Sequence, residues 1–269
     1  MVALVFPWLP VTGRQDFKRR WSRQLLDALG VHLHVCGKRP RDGLIVCNHV
    51  SWLDIYAINA LVATTFVCKD DVRHWPLIGW LGASTGTLFM KRGSRSAAMR
   101  TKERLADHLR RNNSVCIFPE GTTTSGELVL PFHSALLQSA IDAHARVAPA
   151  ALSYCASDGA PTQAAAYAGD TTLWQSLRSI VGNGGLRVHI EFLPAIEPAG
   201  QDRRQLARQA HRLIADKIAL PVAEATGAST DSVSDIIDIS PGPGHRQFND
   251  PCNDGVWLAQ QVRHWMQDA

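Results

Sequence analysis

Apolar runs of strand length recur along the chain at residues 44–47, 64–68, 87–90, 115–118, 147–152 and 188–193. Between most of them lie stretches whose apolar positions return every three or four residues, at 51–62, 96–111, 134–143 and 171–181, with a later one at 201–220. That spacing lays one face of a helix against a core. Strands alternating with helices predict an α/β fold, a single domain with a largely parallel central sheet flanked by helices. In the helix over 96–111, Met99, Leu105 and Leu109 are expected to face the core, with Arg100, Lys102, Arg104 and Arg110 outside. In the helix over 201–220 the expected stripe is Leu206, Leu213, Ile214 and Ile218.

The two ends of the chain read differently. Residues 1–9 are apolar and include Phe6 and Trp8; beyond them Arg14, Lys18, Arg19, Arg20 and Arg23 stand against the single Asp16, interleaved with Phe17 and Trp21. Aromatic rings and cations together suit a lipid headgroup layer, so residues 1–35 are predicted to include an amphipathic, membrane-facing helix. A solvated charged face is the plain alternative. The opening apolar stretch is far shorter than the ~20 residues a spanning helix requires, and it lacks the basic start and small-residue cleavage site of a secretory signal. Residues 36–220 form the folded domain, and residues 221–269, rich in Ala, Ser, Gly and Pro, read as a weakly ordered tail with a short helix near 255–266.

Composition narrows the function classes. A hydrophobic share of 45% fills a core, and a net charge of only +4, concentrated near the start, comes with no nucleic-acid recognition motif. The six cysteines form no CxxC pair and mostly lie in apolar runs, which suits reduced core thiols. The eleven histidines show neither HxxxH nor HExxH, so no metal site is expected.

Three segments carry candidate chemistry. The first is NHVSWLD, Asn48 to Asp54, directly after the strand LIVC. Within one regular helix, residues five apart lie about 140° away from each other. His49 and Asp54 meet only if His49 is on the turn leaving the strand and Asp54 reaches back from the first helical turn. The carboxylate would then fix one imidazole nitrogen and leave the other to take a proton. Ser51 and Asp54 equally satisfy the S-x-x-D capping box. The second segment, GTLFMKRGS, places Lys91, Arg92 and Arg95 at a strand exit, where an arginine can grip an acidic headgroup. The third, FPEGTTTSG, shapes a tight loop with Pro119 and Gly121, sets Glu120 at the sheet edge, and offers the hydroxyls of Thr122 to Thr124. Each alone is commonplace. Together they lie at the ends of strands that converge on one edge of a parallel sheet.

NHVSWLD, GTLFMKR and FPEGT in this order, with Lys69, Trp75, Pro76 and Gly79 ahead of the second block and VAPAAL around Pro149 as a fourth, resemble the 1-acylglycerol-3-phosphate acyltransferase family of lysophospholipid acyltransferases. The likeness covers about residues 21–193. It implies direct transfer of a fatty acyl group from acyl-CoA or acyl carrier protein to the free hydroxyl of a lysolipid, most simply 1-acylglycerol-3-phosphate, with no cofactor and no metal. It implies His49 as base and Asp54 as its partner. Lys69, Arg92, Glu120, Gly121 and Thr122 would contact substrate, while Asn48, Ser51 and Pro119 would support the site or the oxyanion. It also implies a peripheral or monotopic enzyme on the cytoplasmic face of the inner membrane. One departure stands out: many relatives carry an arginine directly after FPEGT, where this chain has Thr123. A zwitterionic acceptor such as a lyso-ornithine lipid is therefore an alternative within the same chemistry.

Two rivals belong to other classes. GASTG at 82–86 matches the serine-esterase pattern G-x-S-x-G, but Ser84 precedes a strand rather than leaving one, and the candidate His49 and Asp54 come before it in the chain. A non-catalytic lipid binder would use the same pocket without turnover. Cys47, two residues before His49, lies in an apolar strand that would keep its thiol protonated, and it reads as core.

Overall fold

The structure is a computed structural model that describes residues 11–70, 79, 82, 87–90 and 95–219. Its strands are β1 (His32–Cys36), β2 (Gly43–Cys47), β3 (Thr65–Lys69), β4 (Leu88–Met90), β5 (Ser114–Ile117), β6 (Val147–Cys155) and β7 (Arg187–Phe192). They form one sheet in the order β1-β7-β6-β2-β5-β3-β4. The pairs from β6 through β4 are all parallel, β7 runs antiparallel to β6, and β1 is parallel to β7. The largely parallel sheet expected from the alternation is present, with two reversed strands at one side.

Burial explains that order. Every residue of β2 and β5 is buried, as befits central parallel strands covered on both faces. β7 alternates between half-buried and buried positions, the signature of a strand with one wetter face. The described helices are α1 (Val11–Ala28), α2 (Leu53–Leu61), α3 (Arg95–Arg110), α4 (Gln138–Asp142), α5 (Leu173–Gly182) and α6 (Arg203–Ala219). One core joins Ile45, Phe66, Cys116 and Leu152 to α1, α2 and α5; the other joins Leu44, Val46, Val115 and Ile117 to α3, α4 and α6.

Two expectations change. Met99 is 61% exposed rather than packed, because the inward stripe of α3 runs Thr101, Leu105, Leu109 in steps of four, and Met99 stands about 200° round the helix from Thr101. Cys36 is likewise exposed, at the end of the edge strand β1. Residues 1–10 and 220–269, which include the apolar opening, Cys252 and the proposed tail, lie outside the described residues, as do Trp75, Pro76, Ser84, Lys91 and Arg92.

Helix α1 is built into the domain. Leu25 and Leu26, with Leu29 and Val31 just beyond, enter the core, and the Trp21 ring meets Tyr56 edge-on. Two of its cations bond backbone carbonyls at the end of α2: Arg23 Nε donates to Ala60 O at 3.0 Å, and Lys18 Nζ to Thr64 O at 3.1 Å. The last carbonyls of a helix lack intrahelical partners and favour positive charge, so Arg23 finishes α2, while Lys18 holds the connection beyond it at Thr64. Arg19 pairs with Asp16, and Arg20 is exposed.

Burial lowers the Lys18 ammonium from its ordinary 10.5 to about 8. Between about pH 8 and 10.5 the unfolded chain holds this proton more often than the folded one, so stability rises with pH across that window. Denaturant unfolding of the wild type and Lys18→Met at pH 7, 9 and 10.5 is expected to show the wild type gaining on the variant as pH increases. A constant difference would mean that Lys18 is not desolvated.

Candidate active site

The polypeptide leaves β2 at Cys47, turns through residues 48–52 and enters α2. Asp54 lies in the first turn of that helix, fully buried, and its carboxylate reaches back over the turn. Oδ2 receives His49 Nδ1 at 2.8 Å, the Val50 N–H at 2.8 Å and the Ser51 N–H at 2.9 Å. Oδ1 receives the Tyr154 hydroxyl from β6 at 2.7 Å. An oxygen already accepting two backbone N–H groups acts as an acceptor toward the imidazole, so Nδ1 carries the ring hydrogen and Nε2 is left as the basic nitrogen. The His49 side chain is 19% exposed, enough to be reached from solvent, while Asp54 is at 0%. Capping and dyad turn out to use the same carboxylate: the bond to Ser51 N–H is half of a capping box, yet the Ser51 hydroxyl accepts from Leu53 N–H at 3.3 Å, and Trp52, the N-cap, offers no side-chain cap.

β5 is the parallel neighbour of β2, so its exit loop, Phe118 to Gly121, emerges beside His49. That loop grips the histidine by its main chain. Glu120 Oε1 accepts the His49 N–H at 2.7 Å, and Thr124 N–H donates to His49 O at 2.9 Å. The Phe118 ring stacks flat on the imidazole, with centroids 4.0 Å apart and planes 9° apart. The other Glu120 oxygen accepts Leu130 N–H at 2.8 Å. Burial pushes the Glu120 carboxyl above its ordinary value, and these two backbone bonds oppose that rise. With one backbone N–H bound to each oxygen, Glu120 braces the loop in this geometry. Gly121 adopts φ +71°, and a Cβ there would stand 3.2 Å from the His133 ring, so the position favours glycine.

The remaining sequence candidates have definite places. The buried Asn48 amide donates to Leu152 O and accepts from Leu152 N–H, both at 2.8 Å, stitching the β2 exit to β6. Ser51 and Pro119 are buried, and Pro119 O accepts His133 N–H at 2.8 Å. Thr122 is exposed, whereas the Thr123 hydroxyl donates to Tyr167 O. Lys69 ends β3 with its backbone paired to Met90, which puts both strand exits on the same sheet edge as His49. Cys47 is fully buried and its thiol is pushed well up by desolvation, in keeping with an inert core residue. Sequence reasoning overlooked Tyr154 and the stacking role of Phe118. A lone tyrosine in the apolar strand VAPAALSYC was the available signal, because a buried phenol seeks a partner.

A strand-exit histidine backed by a buried carboxylate, on a mostly parallel sheet, defines an α/β enzyme whose site is suited to deprotonating a hydroxyl, and the comparisons name its class. Residues 31–153 match the family model described as Acyltransferase. The chain is 43% identical over 202 residues to the lyso-ornithine lipid O-acyltransferase of Pseudomonas aeruginosa, covering 75% of this chain and 78% of that protein. It is 37% identical over 186 residues to the 1-acyl-sn-glycerol-3-phosphate acyltransferase of Neisseria meningitidis, covering 68% and 72%. The crystal structure of the 1-acyl-sn-glycerophosphate (LPA) acyltransferase PlsC from Thermotoga maritima shares the fold, with a TM-score of 0.58 at 18% identity, over 84% of this chain and 88% of that one. The chain is an acyltransferase. It belongs to the family that contains the lyso-ornithine lipid and 1-acylglycerol-3-phosphate O-acyltransferases.

The Glu120 brace is testable. In Glu120→Gln the side-chain amide must turn an NH2 toward one of two backbone N–H donors, leaving a buried bond unmade, which costs about 1–3 kcal/mol. Urea unfolding is expected to show a loss of that size, accompanied by at least a tenfold fall in acyl transfer. Wild-type stability and rate together would contradict the brace.

Proposed function

We propose that this acyltransferase esterifies the free hydroxyl of a lysolipid, with His49 as general base and Asp54 as the group that orients it. The observation carrying this reading is the 2.8 Å bond between His49 Nδ1 and a fully buried carboxylate, which leaves Nε2 as the basic nitrogen of a partly exposed ring. Nε2 takes the acceptor hydroxyl proton as the oxygen attacks the thioester carbonyl of acyl-CoA or acyl carrier protein. The tetrahedral intermediate collapses with loss of the thiolate, which recovers the proton from the imidazolium. No covalent acyl-enzyme and no cofactor enter this scheme. General-base help of this kind contributes about 10²–10⁴-fold, and donors of the loop backbone after Glu120 are assigned to the oxyanion. Gly121 and Thr122 line the acceptor side. Lys69 and Arg92 are assigned to the polar head, a role the exits of β3 and β4 suit.

For the acceptor, two observations favour a lyso-ornithine lipid: the 43% identity to the Pseudomonas enzyme, and Thr123 at the position where many relatives carry arginine, its hydroxyl committed to Tyr167 O. Lysophosphatidic acid is the second reading, favoured by the 37% identity to the Neisseria enzyme. The enzyme works peripherally on the cytoplasmic face of the inner membrane. Among the described residues no helix is long and apolar enough to cross a bilayer, and Arg19 and Arg20 are exposed on α1.

Labelled acyl-CoA and acyl carrier protein, offered with a panel of lysolipids, test class and acceptor together. Diacyl product is expected, formed fastest on lyso-ornithine lipid. His49→Ala is expected to lose at least 10²-fold in turnover while keeping lysolipid affinity. Turnover surviving in that variant would remove His49 from the mechanism, and no product with any acceptor would favour a lipid binder.

A further inference from the structure

The two oxygens of Asp54 are not equivalent. Oδ2 is surrounded by three N–H donors, all from residues 49–51 of the turn just before its own helix. Among the described residues Oδ1 has one hydrogen-bond partner, and it comes from a distant strand: the Tyr154 hydroxyl on β6, at 2.7 Å. Both side chains are buried. Removing the phenol would take away the donor that hydrogen-bonds this buried carboxylate oxygen, the loss buried polar groups avoid.

We propose that Tyr154 is a positioning residue for acyl transfer: by donating to Asp54 Oδ1 it fixes the carboxylate plane and tunes how strongly Oδ2 supports the His49 imidazolium. The proposal rests on the reading of His49 as general base. Two elements, the turn and β6, hold the two oxygens, so the carboxylate cannot rotate without breaking a bond at each. The phenol also draws charge toward Oδ1 and away from the oxygen facing His49. With the phenol gone, Oδ2 becomes the stronger partner, holds the imidazolium more tightly, and delays release of the base to higher pH.

The surroundings keep this arrangement in one protonation state. Burial first, and the Asp54 charge next, push the Tyr154 hydroxyl well above its ordinary range, so it remains a donor; a bond with the Ser51 hydroxyl opposes this in part. The other ionisable groups facing the pair are His49 on the turn, the Cys47 and Cys116 thiols on β2 and β5, both pushed up by desolvation, and Glu120 from the β5 exit. The thiols stay neutral and so add no charge beside the carboxylate.

The test compares kcat/KM against pH for the wild type, Tyr154→Phe and a protein carrying 3-fluorotyrosine at position 154. Phenylalanine keeps the ring but removes the donor; kcat is expected to fall roughly 10- to 100-fold, the size of a lost bond to a charged group, with little change in acceptor KM. Its acidic limb is expected to move toward higher pH by about half a unit or more. Fluorotyrosine keeps the shape and donates more strongly, so its limb is expected to move the opposite way. Should the phenylalanine protein fail to fold, the fluorotyrosine profile decides alone. Limbs that coincide with the wild type, whatever the rates, would make Tyr154 structural and overturn the proposal. His49→Ala in the same assay separates the two levels: activity there defeats the general-base reading, whereas an inactive His49→Ala with unshifted Tyr154 profiles defeats only this inference.

Discussion

A buried carboxylate organises the strand-exit turn, the histidine on it and part of the fold around one point. Asp54 is removed from water entirely, and an anion in that position is tolerated only when its oxygens are filled by donors. Four donors fill them: an imidazole, two backbone amides and a phenol. The amides belong to the turn that leaves β2, so satisfying the charge also shapes the start of α2. The phenol belongs to β6, so it also ties that turn to the neighbouring strand. The imidazole is oriented as a consequence of the same set of bonds.

The parallel sheet supplies the second half of the site. β2 and β5 are neighbours running the same way, and their exits open side by side. One exit carries His49; the other returns Glu120 and Thr124 to bond its N–H and C=O, and lays Phe118 on its ring. The histidine is thus fixed through both main chain and side chain, with Nδ1 committed to the buried carboxylate. On the proposed mechanism, holding the base in place before substrate arrives supplies part of the rate.

Much of this was legible in the residues alone. The six apolar runs correspond to β2 through β7, and the five-residue separation of His49 and Asp54 required the strand-exit arrangement that the coordinates contain. What escaped had physical reasons. β1 reads HLHVC, too polar to register as an apolar run, because an edge strand buries little. Met99 looked like part of a core stripe, but helical phase follows Thr101, whose hydroxyl is satisfied by Ala97 O and therefore tolerates burial. Lys18 and Arg23 looked like lipid-facing cations because composition does not show that a neighbouring helix ends beneath them. The bracing bonds of Glu120 escaped for the same reason: its partners are backbone amides, which leave no mark in side-chain patterns.

The state of the His49 ring decides the proposed chemistry, and nitrogen NMR observes it directly. In protein labelled with 15N at histidine, with His49→Gln used to assign the signals, spectra recorded above the imidazole titration are expected to show Nδ1 protonated and Nε2 bare. A His49 carrying its hydrogen on Nε2, or exchanging freely between both nitrogens, would mean that Asp54 does not hold the imidazole, and the account of the site would fail with it.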